Sequence, residues 1–98
     1  MDSQSSKKSN QIKALIRDLL LLPGKGLSAD EFFRLEGELR REINILVLDP
    51  YWSDYIFHPR KHGLSDCMVV NEQGTFEINE HAIDRVIKKL ESYTPIAL

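Results

Sequence analysis

Disulfides are the first thing this chain lacks. It has one cysteine, Cys67, in 98 residues, so no disulfide can close within it. A lone cysteine fits a reducing compartment, and the fold must rest on a packed core rather than on covalent staples. Long apolar runs are also missing. The leucine-rich stretch Leu15–Leu22 is interrupted by Arg17 and Asp18, and it falls well short of the roughly 20 residues a helix needs to span a bilayer. The same two charges, at helical spacing, argue against a secretion signal. A basic excess is absent too: 13 Lys and Arg against 15 Asp and Glu leave a net charge of -2. That removes any general attraction to nucleic acid or to anionic lipid. The expected location is the cytoplasm, with no membrane contact and no direct nucleic-acid contact.

What is present is ordinary globular composition, 42% hydrophobic and 29% charged. A chain of this length supports one domain, burying roughly 60–65% of the surface its unfolded form exposes. Residues 1–9 are almost wholly polar and are expected to form a disordered tail. Residues 10–98 are expected to form a single globular domain.

Three helices are legible. Ile12, Leu15, Ile16, Leu19 and Leu20 share one face at i, i+3, i+4, i+7 and i+8, which predicts a helix near 11–22 that stops at Pro23-Gly24. Ser28-Ala29-Asp30-Glu31 is a capping box, preceded by Leu27 as a staple to Phe32. It opens a helix predicted over 29–44, with Phe32, Leu35, Leu39, Ile43 and Leu46 on one face. The apolar run Ile45–Leu48 is expected to be buried. Asp49-Pro50 ends this segment, because a residue before proline avoids helical angles. Cys67–Ile78 reads as a hairpin, with Met68 and Val70 alternating on one side of the turn Asn71-Glu72-Gln73-Gly74 and Phe76 and Ile78 on the other. Asn79 then caps a third helix near 80–92 carrying Ala82, Ile83, Val86, Ile87 and Leu90. The expected class is mainly α (α+β): a small bundle of three principal helices with a two-stranded β-hairpin. Ile96 and Leu98 are expected to fold back on the core.

Little in the chain resembles catalytic machinery. Gly24-Lys25-Gly26 lacks the spacing of a phosphate-binding loop and follows no strand. No glycine-rich cofactor loop is present, and no cofactor is expected. His58 and His62 lie four apart, which on one helix would place two metal ligands side by side, but Pro59 interrupts a regular helix between them. Adding Asp66 and Cys67 completes no established ligand spacing, so no metal is expected. Cys67 precedes a strand and reads as a structural thiol. The residues satisfy no nucleophile–base–orienter arrangement, so the chain is expected not to be an enzyme. The alternative is a small enzyme or metal-dependent regulator using His58, His62 and Cys67. The basic pairs Arg40-Arg41 and Arg60-Lys61 would suit a nucleic-acid regulator, but the net charge and the lack of a recognisable helix-turn-helix oppose it.

Charge is unevenly spread. Residues 1–26 carry five Lys/Arg and two Asp, net +3; residues 27–54 carry three Lys/Arg and seven Asp/Glu, net -4; residues 55–98 carry five and six, net -1. The acidic segment runs into an aromatic one, Tyr51-Trp52-Ser53-Asp54-Tyr55-Ile56-Phe57-His58-Pro59. Rings supply buried anchors at interfaces and carboxylates steer a basic partner. The alternative is that Trp52, Tyr55 and Phe57 are core residues and the acids a solvated face.

At Pro50, Ser53, Asp54, Ile56, Phe57 and Pro59 the chain resembles the immunity proteins of colicin and pyocin nucleases, whose short third helix carries a Pro-x-x-Ser-Asp-x-Ile-aromatic-aromatic-Pro run. Leu27-Ser28-Ala29-Asp30-Glu31-Phe32 resembles that family's capped entry to its second helix. The family's aromatic pair is Tyr-Tyr where this chain has Phe57-His58, and the hairpin at 67–78 has no counterpart there. The resemblance implies a small helical protein that binds and blocks a nuclease toxin. The partner-binding residues expected are Asp54, Tyr55, Phe57 and His58 in the aromatic run and Glu38 and Glu42 on the second helix. The expected partner is a basic toxin protein of the nuclease type.

Overall fold

The computed structural model describes the backbone of residues 3–93 and the side chains of residues 7–93. Its elements are α1 (Ser3–Leu21), a 3-10 turn (Leu22–Lys25), α2 (Ala29–Leu46), α3 (Trp52–Phe57), a second 3-10 turn (Pro59–His62), β1 (Met68–Val70), β2 (Phe76–Ile78) and α4 (Glu80–Glu91). This is the expected mainly α, α+β fold: three long helices, one short helix, and one two-stranded antiparallel sheet. By its contacts the chain divides into two compact units, Met1–Leu46 and Val47–Leu98. Ile96 and Leu98 lie outside the described residues.

In the first unit α1 packs on α2. Ile12, Ile16, Leu19, Leu20 and Leu22 are buried, as is Ile43 of α2, so the face read from the spacing is the buried one. The helix starts at Ser3, well before the predicted start near 11, and the residues expected to be a tail are helical from there on. No proline or glycine lies between Met1 and Pro23. A helix nucleated by the apolar face can therefore extend backwards at little cost, since each added residue gains a bond without a new nucleation step. Gly26 closes the following turn in the left-handed region, φ 68°. Ser28 Oγ then accepts from the Glu31 amide at 3.3 Å, and the Phe32 amide donates to Ser28 O at 2.8 Å.

The expected burial of Ile45–Leu48 is wrong for two of its four residues. Ile45 and Leu48 are each 75% exposed, while Val47 is buried. Ile45 follows Ile43 by two residues, which on a helix is about 200° round from the buried face. Beyond the helix, Val47, Leu48 and Asp49 are buried, exposed and buried in turn, the alternation of extended chain.

In the second unit α3 packs on α4. Trp52, Tyr55, Ile56, Cys67, Ala82, Ile83, Val86, Ile87 and Leu90 form the apolar core. Asn79 caps α4, its side-chain oxygen accepting from the Ala82 amide at 3.3 Å, and its backbone amide donates to Cys67 O at 2.7 Å. One residue thus ties the start of the hairpin to the start of the helix. The hairpin pairs Met68 with Ile78, Val69 with Glu77 and Val70 with Phe76. Its loop is tight: the Asn71 amide donates to Thr75 O at 2.9 Å, and Asn71 Oδ1 accepts from Gln73 and Thr75 amides at 2.9 and 3.0 Å. Gly74, φ 82°, supplies the left-handed residue such a loop requires.

No helix of the described residues is long and apolar enough to cross a membrane.

Candidate functional site

The segment Asp49–Asp66 is organised by carboxylates. Asp49 is buried, 2% exposed. Its Oδ1 accepts from the Tyr51 amide at 2.9 Å, turning the chain into α3, and its Oδ2 accepts from the Tyr55 hydroxyl at 2.8 Å. A buried carboxylate is tolerable only when its oxygens are met in this way. Burial, then the Asp49 hydrogen bond, pushes the Tyr55 phenol up to about 12.

Over one and a half turns of α3, Trp52, Tyr55 and Ile56 face inward, and Phe57 is left 41% exposed. The helix ends where the His58 amide donates to Asp54 O at 2.8 Å. Buried Pro59 then starts the 3-10 turn, and Gly63 leaves it at φ 72°. That turn brings His62 back over α3. His62 Nε2 lies 2.6 Å from Asp54 Oδ2 and donates to it, and the His62 ring meets the Tyr55 ring edge-on at 4.7 Å. The hydrogen bond from His62 holds the Asp54 carboxyl below its ordinary value; burial opposes this, and the charges of Lys61, His62 and His58 add to it. Lys89 of α4 places its ammonium 5.3 Å from the Tyr55 ring centroid, within cation–π range.

The outcome is an open cleft of about 260 Å³ lined by Phe57, His58, Pro59, Arg60, Lys61 and Asp66. Across its rim Arg60 pairs with Asp66 at 3.0 Å.

The six residues expected to bind a partner therefore divide. Phe57 and His58 are exposed and line the cleft. Tyr55 is not on the surface: it is buried, because the inward face of so short a helix takes residues 52, 55 and 56. Asp54 is half-buried and engaged by His62, so it positions the turn. Glu38 and Glu42 lie on α2 in the first unit, where they line a shallow groove with Leu35, Leu39 and Arg41. Glu38 also accepts from Arg34 at 3.2 Å. The reading of the aromatics as core holds for Trp52 and Tyr55 and fails for Phe57. Sequence reasoning missed Asp49 as the organiser of the turn, although an Asp whose side chain accepts from the amide two residues on is a known turn-former. It also missed the Asp54–His62 pair, for which an eight-residue separation offers no periodic signal.

Among the described residues no group of three or more His, Cys, Asp or Glu side chains is placed to hold a metal ion. Cys67 is buried, and burial, with Asp66 next to it, pushes its thiol up to about 11.

No protein-family model, no curated protein and no solved structure matches the chain.

Proposed function

We propose that this is a cytosolic, non-enzymatic binding protein of the immunity type, which neutralises a basic, nuclease-like toxin by occupying its surface. The observation that carries the reading is Phe57. It is a large ring left exposed on a helix whose other rings are buried, and it is held by Asp49 and Pro50 before it and by Pro59 and the Asp54–His62 bond after it. A ring fixed in this way loses little conformational freedom on docking, and rigid aromatic anchors carry most of the affinity at interfaces. The cleft rim beside Phe57 is basic, so the ring rather than charge is the anchor here. Attraction of a basic partner is a long-range effect of the net negative charge, -2 over the whole chain.

The alternative, an enzyme or metal-dependent regulator built on His58, His62 and Cys67, is less well supported. A reactive thiol needs a lowered pKa and access, and Cys67 has neither. His62 Nε2 is engaged by Asp54.

The test is co-purification from the native host, followed by assay of the recovered partner's nuclease activity with and without this protein. Wild type is expected to abolish that activity. A folded Phe57→Ala variant is expected to lose affinity by about 2 kcal/mol or more. Undiminished inhibition by that variant, or a captured partner without nuclease activity, would overturn the reading.

A further inference from the structure

Helix α4 has a side that its core contacts do not use. Ala82, Ile83, Val86, Ile87 and Leu90 are buried. Arg85, Lys88, Lys89 and Ser92 follow one another at i, i+3, i+4 and i+7, so they share a different side of the helix. With Leu64 these four residues line an open groove of about 490 Å³, which has no residue in common with the Phe57 cleft. Its parts are held in place. Leu64 follows Gly63, φ 72°, and its amide donates to Pro59 O at 2.9 Å. Lys89 is half-buried, with its ammonium 5.3 Å from the Tyr55 ring centroid. Ser92 Oγ donates to Lys89 O at 2.8 Å, which closes the helix end.

Charge in the groove has one sign. Three of the five Lys and Arg residues of the second unit line it, and no acid does. Asp84 and Glu91 neighbour the row on α4, but both are engaged in interactions of their own. Arg85 and Lys88 are exposed, and neither forms an ion pair among the described residues. The C-terminal end of a helix carries roughly half a negative charge, which offsets only part of three cations. An excess of positive charge is left for a partner to meet. The second unit as a whole bears eight acids against its five cations, so an extended polyanion such as a nucleic acid meets net repulsion. A short segment with a few carboxylates meets the local cations alone. Leu64, the apolar member of the lining, calls for an apolar group beside those carboxylates. The same groove of a second copy would set cations against cations, which opposes a symmetric dimer here.

We propose that the groove between Leu64 and α4 is a docking site for an acidic protein segment, with an apolar side chain seated on Leu64 and neighbouring Asp or Glu carboxylates paired with Arg85 and Lys88. This goes beyond the inhibitory reading: it uses a different surface, takes a segment of opposite charge and requires no nuclease.

The experiment is an NMR titration of the isotope-labelled full chain. The probes are four synthetic peptides of equal length: a central Leu flanked by Glu, by Gln or by Lys, and a central Ser flanked by Glu. The Glu-flanked Leu peptide is expected to shift the amides of Leu64 and of residues 85–92, with an affinity that falls as salt is raised. Its Gln counterpart and the Ser peptide should each bind roughly tenfold more weakly or worse, and the Lys peptide should leave the groove unshifted. An Arg85→Gln/Lys88→Gln double variant changes exposed positions only. It should keep the wild-type thermal melt and lose about tenfold or more in affinity for the Glu-flanked Leu peptide. Equal shifts from the Glu and Lys peptides would overturn the proposal, as would the absence of shifts at Leu64 and 85–92 or an affinity unchanged in the double variant. Co-sedimentation of wild type, but not of the double variant, with vesicles of phosphatidylserine and phosphatidylcholine would overturn it in favour of a lipid surface. A dimer in sedimentation that the double variant dissolves would overturn it in favour of a second copy. Shifts confined to residues 54–61 would refute the α4 groove and leave the Phe57 reading standing. Shifts at the α4 groove combined with unimpaired inhibition by Phe57→Ala would do the reverse.

Discussion

The two units are of similar length and are held in different ways. Among the described side chains of the first unit, residues 7–46, the buried ones are aliphatic, and ion pairs such as Arg34–Glu38 and Arg40–Glu36 join residues four apart on α2. In residues 47–98 the contacts that shape the surface are polar and reach further along the chain: Asp49 to Tyr55, Asp54 to His62, and Asn79 to both Cys67 and Asp66, the last through Asn79 Nδ2 and Asp66 O at 3.2 Å. Periodicity builds the first unit. The second needs specific side chains to meet, so single polar substitutions should act on it out of proportion to the apolar surface they touch.

The largest effects should be common to both units. Ile16 and Ile83 are each fully buried, and truncation of either to Ala is expected to cost about 2–5 kcal/mol in urea denaturation. Helical circular dichroism reports on the whole chain, and fluorescence of Trp52, the only tryptophan, reports on the second unit. A cost within about 0.5 kcal/mol, the range of a surface change, at either site would remove that residue from the core.

The contrast sharpens at Asp49. Asp49→Ala strands the Tyr55 hydroxyl and the Tyr51 amide, and leaving buried partners unmet is expected to cost about 1–3 kcal/mol. Tyr55→Phe should fall at the lower end of that range. Stability of Asp49→Ala equal to that of wild type would show that polar contacts do not distinguish the second unit.

Acid provides a third comparison. The Asp54 carboxyl is held below its ordinary value of 3.8 by His62. A carboxylate with a lowered folded pKa contributes stability that is fully present above the unfolded value and is lost as pH falls through the folded one. The Trp52-monitored midpoint should therefore drop as the pH falls below 3.8, and His62→Ala should flatten that dependence. An unchanged acid profile in His62→Ala would mean the pair does not brace the turn.

The smallest effect belongs to the first unit's surface. Arg34 and Glu38 are both largely exposed, and a double-mutant cycle across them should return about 0.3–0.5 kcal/mol, vanishing at high salt. A coupling several times larger would bring the first unit closer to the second in character.

What could be read beforehand follows the same division. The apolar faces of α1, α2 and α4, the Ser28 and Asn79 caps and the hairpin are local patterns, and all were legible. The early start of α1 was not, because polar residues without proline or glycine carry no stop signal. Ile45 and Leu48 were misjudged because a continuous apolar run conceals the change from helical to extended geometry at Val47. At the candidate site Phe57 and His58 were legible as surface groups. Tyr55 was not, since its burial depends on a six-residue helix whose inward face only the fold defines, and the Asp54–His62 bond depends on a turn that Pro59 and Gly63 create between them.

Cys67 has one further consequence. It sits at the foot of the hairpin, next to the Asn79 tie, with its thiol buried and poorly ionised. An oxidant or alkylating agent can reach it only in molecules whose second unit has come open. A thiol capped in that moment no longer fits its old space, so the molecule is kept from closing again. The rate at which the thiol is modified therefore counts how often the unit opens.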